Sequence, residues 1–259
     1  MMGDMKEWRL LCDRISSLKR VAISFSGGVD STVVLAAAVN ALPEDHIAVF
    51  ADIPMISERQ RRIARDVAEE LGANLISAEL SWDDMPRVRD NGADRCYHCK
   101  RAIYSSVRKA ASLHEYDVCA DGENASDPAS ERPGRKAAAE LGIVSPLKDL
   151  GIERSTVRKM FDDLGLKTRV HKETCMATRL PAGVPFTGKD IIFIEECENV
   201  IRNASGVEQI RMRLRDGYAE LFASPDEIML LIRNEKEISS MLAVKGVPKI
   251  RINMNGYEE

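Results

Sequence analysis

No apolar run in this 259-residue chain approaches the roughly 18–20 residues that cross a bilayer. The N-terminus, MMGDMKEWRLLCDRISSLKR, is charged and amphipathic and carries no signal-peptide apolar block. Positive charge is not in excess: 37 Lys and Arg stand against 41 Asp and Glu, a net charge of −4. No global field therefore recruits nucleic acid or an anionic membrane, and only a local basic patch could do so. There is no internal repeat and no low-complexity tract. A cytoplasmic protein is expected. What is present fits that: 44% hydrophobic and 30% charged residues are the composition of a globular chain with a real core. The length suits one large domain or two modest ones.

Short apolar strands alternate with helical patterns over the first two thirds. A helix is expected over 1–18, a buried strand over 20–26 and a helix over 29–41. HIAVFAD (46–52) reads as a strand, SERQRRIARDVAEELG (57–72) as a helix with Ser57 as its cap, and ANLISAEL as a third strand. CYHCKRAIYSSVRKAASL (96–113) has helical spacing, YDVCADG (116–122) is a fourth strand, GRKAAAELG a short helix, IVSPL a short strand and 153–165 another helix. Such alternation predicts an α/β fold with a doubly wound parallel sheet. Right-handed crossovers put the strand C-termini along one edge, where the ligand crevice of such sheets lies. Near 170 the pattern changes. A Pro- and Gly-bearing loop (172–188) precedes a helix over 188–204, strands in EQIRMRLRD and YAELFAS, a helix over 226–241 and the strand PKIRINMNG. The expected division is a nucleotide domain over 1–170 and a smaller α+β domain over 171–259.

The chemistry is announced at 21–38, VAISFSGGVDSTVVLAAA, where a strand meets a helix through a turn of serines, glycines and an aspartate. Gly27 and Gly28 permit positive φ and remove side chains. The N–H groups of a fresh helix start and its dipole attract an anion. Ser26, Ser31 and Thr32 add hydroxyls, and Asp30 suits a magnesium ion or loop fixation. The turn is neither a Walker A loop nor a G-x-G-x-x-G turn. It resembles the S-G-G-x-D-S/T signature of ATP pyrophosphatases, the PP-loop family, which cleave ATP between the α- and β-phosphates.

Further stretches are RCYHCK (95–100), DGENASD (121–127), ERPGRKAAAELGIVSPL (131–147), ETCMATRLPAG (173–183) and QIRMRLRDGYAEL (209–221). In this order and spacing they resemble the LarE family of ATP-dependent sulfur transferases from about residue 20 to 225. The resemblance implies ATP and magnesium as cofactors and a pyridinium dicarboxylate mononucleotide as substrate, on the way to a nickel-pincer cofactor. A carboxylate is adenylated and then receives sulfur to become a thiocarboxylate. It implies Ser26, Gly27, Gly28, Asp30, Ser31, Thr32 and Gly122 at the nucleotide. Cys175, in CMATR, matches the cysteine that some members sacrifice as sulfur donor. Other members use three cysteines to ligate a 4Fe–4S cluster, here Cys96, Cys99 and Cys175, with sulfide as the donor. Homo-oligomers, hexamers in the family, are also implied.

Cys96 and Cys99 share a helix face, and Arg95, Lys100, Lys172 and Arg179 flank the three cysteines. Basic neighbours favour thiolates. Three readings stay open: the cluster, Cys175 as sole donor, and a zinc site completed by His98 or His171. Only one paired-ligand motif is visible, where structural zinc usually has two. Cys12, Cys119 and Cys197 lie among apolar neighbours and read as small buried residues. Arg132 and Arg179, in family-like motifs, are expected to meet substrate carboxylate or phosphate. Arg211 and Arg213 alternate on one strand face, and the matching family positions bind phosphate; a solvated strand face is the alternative. The resemblance also offers Glu198, Glu220 and Asp226 as a metal site in the C-terminal domain. Competing functions are tRNA thiolation, amide synthesis as in NAD synthetases, and a non-catalytic nucleotide or redox sensor.

Overall fold

The computed structural model describes residues 6–126, 133–171 and 173–256. The chain forms two compact units, Met1–Val88 with Asp94–Glu173, and Arg89–Ala93 with Thr174–Glu259. The first holds a four-stranded parallel sheet in the order β3-β2-β1-β4, with β1 at Val21–Phe25, β2 at His46–Asp52, β3 at Leu75–Glu79 and β4 at Cys119–Ala120.

Side-chain alternation decides which face each strand residue serves. Val21, Ile23 and Phe25 of β1 and Ala48 and Phe50 of β2 join one core, while Ala22, Ile47, Val49 and Ala51 join the other. The first core is covered by α1 (Lys6–Ser16), α2 (Val29–Ala41), α3 (Glu58–Glu70) and α7 (Arg154–Asp163). The opposite core is covered by α4 (Arg95–Leu113) and α5 (Pro133–Glu140). α2 is apolar nearly all round, as a helix enclosed by its neighbours must be; it lies against β1, α1 and α7. α3 is amphipathic, and its cap Ser57 accepts the Gln60 N–H at 3.1 Å.

Two elements differ from the sequence expectation here. IVSPL contributes only a single parallel bridge, Ala120 to Val144. Pro146 then opens a helical turn, α6 (Pro146–Asp149), because proline has no N–H for a sheet ladder and suits a first helical position. β4 itself is two residues long, since after Ala120 the chain turns in against the start of α2.

The second unit is a three-stranded sheet, β5 (Ile210–Arg215), β6 (Tyr218–Ala223) and β7 (Ile250–Ile252), antiparallel between β5 and β6 and parallel between β6 and β7. α8 (Gly188–Ser205) buries Ile194, Cys197 and Ile201 and ends at Gly206, whose φ is +76°. The helix expected over 226–241 is two, α9 (Ile228–Arg233) and α10 (Glu235–Val244). They part at Asn234, whose amide donates to the Leu230 carbonyl at 2.8 Å and so competes with the backbone ladder. Arg89–Ala93 belongs to this unit through Asn91, whose side-chain amide donates to the Pro181 and Val184 carbonyls at 2.7 and 3.0 Å. Among the described residues no helix is long and apolar enough to cross a membrane.

Candidate active site

Parallel pairing levels the C-terminal ends of β1 and β2, with Phe25 opposite Phe50. Pairing of Ala22 with Cys119 and Ile23 with Ala120 carries the next residues, Asp121 and Gly122, to the level of the turn after β1. That turn is tied to itself. The Ser31 hydroxyl accepts the Ser26 N–H at 3.3 Å and donates to the Gly28 carbonyl at 3.1 Å, and the two serine hydroxyls lie 3.1 Å apart. Gln60 of α3 donates to the Ser26 carbonyl.

The two glycines have different reasons. Gly27 sits at φ +71°, and a Cβ there would lie 2.8 Å from the Ala64 Cα. Gly28, expected to share the positive φ, instead has φ −85° as the residue before α2, and a Cβ there would meet only the Ser26 hydroxyl at 3.3 Å. Gly122 is the tightest of the three: a Cβ would fall 2.6 Å from the Ser31 nitrogen. Thr32 corrects another expectation. It is fully buried, its hydroxyl has no hydrogen-bond partner, and it is not among the residues lining the cavity. Its backbone N–H closes the first helical bond to the Gly28 carbonyl at 2.9 Å, so it serves α2 rather than a ligand.

An open cavity of about 550 Å³ lies over this turn, entirely within the first unit. Ser26, Gly28, Asp30 and Ser31 form one wall, and Asp121, Gly122, Glu123 and Asn124 another. α4 contributes Cys96, Lys100 and Tyr104. Sequence reasoning did not single out Asn124, Asp121 or Tyr104 as functional side chains, although DGENASD contained two of them. Asn124 donates to Asp30 Oδ1 at 3.0 Å across 94 residues of sequence, so Asp30 is fixed by the second wall. Tyr104 donates to Asp121 Oδ2 at 2.6 Å, and the Glu123 N–H donates to Asp121 Oδ1 at 3.0 Å. Burial, followed by the Asp121 charge, pushes the Tyr104 hydroxyl far above its ordinary pKa, so it remains a neutral donor. Arg135 pairs with Glu123, and Arg154 completes the rim.

The six cysteines fall into two groups, and none is in a disulfide. Burial pushes the Cys119 and Cys197 thiols up to about 11. It also raises Cys12, against the lowering effect of the Asn40 amide. Cys96 is exposed, Cys99 is half-buried one turn further along α4, and Cys175 is exposed in the second unit. Among the described residues no three His, Cys, Asp or Glu side chains are gathered as a metal-ligand set. The His98 ring faces Asp94 Oδ2 at 2.9 Å. The metal set of Glu198, Glu220 and Asp226 is likewise not formed. Glu198 is buried and accepts from Arg179, Arg202 and the Met212 N–H, while Glu220 accepts from Arg215 and Asn253.

Arg179 is a correction. Its side chain is 0% exposed. It donates to Glu198 Oε1 at 3.0 Å, to the Thr174 and Cys175 carbonyls at 2.9 and 3.3 Å, and to the Thr174 and Thr178 hydroxyls. It folds the short 3-10 turn Met176–Arg179 around itself and faces no solvent-accessible substrate. Arg211 is buried as well, which removes the solvated-face reading for it, and Arg213 lies 4.5 Å over the Phe222 ring. Arg132 and Lys172 lie outside the described residues.

The NAD synthase family matches residues 13–94, the segment that carries the turn. A pyridinium-3,5-bisthiocarboxylic acid mononucleotide synthase from Lactiplantibacillus plantarum is 27% identical over 94% of this chain and 88% of its own length. An uncharacterised protein of Synechocystis is 28% identical over 93% of this chain and 91% of its own. One of Methanocaldococcus jannaschii is 28% identical over 92% and 91%.

Proposed function

We propose that this chain, a member of the LarE family within the PP-loop superfamily, is an ATP-using sulfur transferase that turns a substrate carboxylate into a thiocarboxylate. The observation that supports this most directly is the cradle over α2, coupled with similarity along nearly the whole chain to a synthase of a bisthiocarboxylic acid. The helix start and the Ser26 and Ser31 hydroxyls receive the phosphates. Asp30, fixed by Asn124, would hold the magnesium that accompanies ATP. A substrate carboxylate oxygen attacks the α-phosphorus, pyrophosphate leaves, and an acyl adenylate results. A sulfur nucleophile then attacks the acyl carbon, AMP leaves, and the thiocarboxylate is formed.

The finer reading takes pyridinium-3,5-dicarboxylate mononucleotide as substrate, with Arg211 and Arg213 toward its phosphate. It assigns Cys96, Cys99 and Cys175 to a 4Fe–4S cluster. The residues fit in donor chemistry: all three are thiols outside any disulfide, Cys96 and Cys175 are exposed and Cys99 half-buried, and Cys96 lines the nucleotide cavity. A cluster held by three thiolates supplies an iron able to carry sulfide. Anaerobically purified protein should then contain about four irons per chain. Incubation with ATP, sulfide and the mononucleotide should release pyrophosphate together with thiocarboxylate. No pyrophosphate release would overturn the transferase reading. Iron-free active protein, with hydrogen sulfide lost from Cys175 by mass, would replace the cluster by sacrifice of that cysteine.

A further inference from the structure

The PP-loop turn has no lysine of its own, yet the phosphates of ATP carry several negative charges into a cavity that also holds Asp30, Asp121 and Glu123. Among the described residues the cationic side chains lining it are Lys100, Arg135 and Arg154. Arg135 is committed to Glu123, and the start of α7, where Arg154 stands, is tied down by its N–H to the Ser126 hydroxyl at 2.7 Å. Lys100 has a different environment. Its ammonium group lies 3.5 Å from the Tyr104 hydroxyl and 5.0 Å from the Tyr104 ring, and among the described residues no carboxylate is in an ion pair with it. Because Tyr104 spends its proton on Asp121, its oxygen is an acceptor for Lys100. The stem is confined on the other side by α5, where a Cβ on Gly134 would lie 3.0 Å from the Lys100 Cγ. Tyr104 and Gly134 thus hold a cation in the cavity that the start of α2 also lines.

We infer that Lys100 is a catalytic residue: it binds the phosphate oxygens of ATP and carries the charge that develops on departing pyrophosphate. Such a role needs a cation aimed where charge builds up, and a site already organised loses little on reacting. The inference rests on the transferase reading for its catalytic half and on the cavity alone for its binding half. One other user of the ammonium stands nearby: Cys96, one turn earlier on the same helix and also lining the cavity, whose thiolate a cation would favour.

Lys100→Met keeps the stem and removes the charge; Lys100→Arg keeps the charge. Binding of ATP and of adenosine, pyrophosphate release, and the rate of Cys96 alkylation by iodoacetamide are measured on the full chain. Lys100→Met should weaken ATP binding about ten- to a hundredfold, the scale of one charge-assisted hydrogen bond. Adenosine binding should be unchanged, pyrophosphate release should slow, and Lys100→Arg should restore part of both. Equal ATP affinity in wild type and Lys100→Met would overturn the inference. So would an unchanged pyrophosphate rate together with slower Cys96 alkylation, which would give the cation to the thiol. If the wild type binds ATP but releases no pyrophosphate, the transferase reading fails, and the ATP-against-adenosine comparison still decides the binding role of Lys100.

Discussion

Replacing Glu198 by Ala would strip the counter-charge from a guanidinium with no access to water. The Arg179 and Glu198 side chains are 0% and 2% exposed and meet at 3.0 Å. Removing one partner of such a pair costs about 3–5 kcal/mol, because the other charge stays buried without compensation. The Met212 N–H, which donates to the same oxygen at 2.9 Å, is orphaned too, a penalty of about 1–3 kcal/mol that overlaps the first and does not add to it. Both tryptophans, Trp8 and Trp82, lie in the first unit, so intrinsic tryptophan fluorescence is the wrong probe. Amide exchange of the Ile210–Arg215 strand reads the second unit directly, and a loss of about 4 kcal/mol speeds globally limited exchange roughly a thousandfold. The paired replacement Arg179→Met with Glu198→Leu should recover most of the loss, since a buried ion pair is worth little against apolar groups of similar volume. Exchange within about fivefold of wild type in Glu198→Ala, a change of roughly 1 kcal/mol, would refute the buried-pair account. Strictly additive single and double losses would refute the coupling.

Glycine substitutions around the turn should rank by space rather than by motif. Gly122→Ala and Gly27→Ala should abolish ATP binding or folding, because their Cβ atoms would lie 2.6 and 2.8 Å from backbone. Gly28→Ala should fold normally, and a melting temperature for it below that of Gly122→Ala would refute the ranking. Native alkylation followed by peptide mapping should label Cys96 and Cys175 and spare Cys119 and Cys197. With their thiols near 11, the buried pair is ionised to about one part in a thousand at pH 8, and any labelling should rise as pH rises toward that value. Fast labelling of Cys197 at pH 8 would contradict its burial.

Residues 21–38 were legible because the turn that starts the cradle is local. A buried strand, two glycines, hydroxyls and a new helix follow one another in the chain, and short-range backbone geometry fixes what they form. The parallel α/β class was legible for the same kind of reason, since strand and helix periods differ along the sequence. The shortness of β4 and the break at Asn234 were not, because pairing partners and side-chain competition settle them. The partner of Asp30 lies 94 residues away, and only the crossover that lays β4 beside β1 brings Asn124 to it. Lys100 reads in sequence as one more basic neighbour of cysteines; its contact with Tyr104 and the packing of α5 make it a cavity cation. Arg179 is the sharpest case. A sequence can show an arginine beside a cysteine, but whether that arginine points at a ligand or is buried depends on Glu198, nineteen residues on, whose carboxylate makes burial of the charge possible.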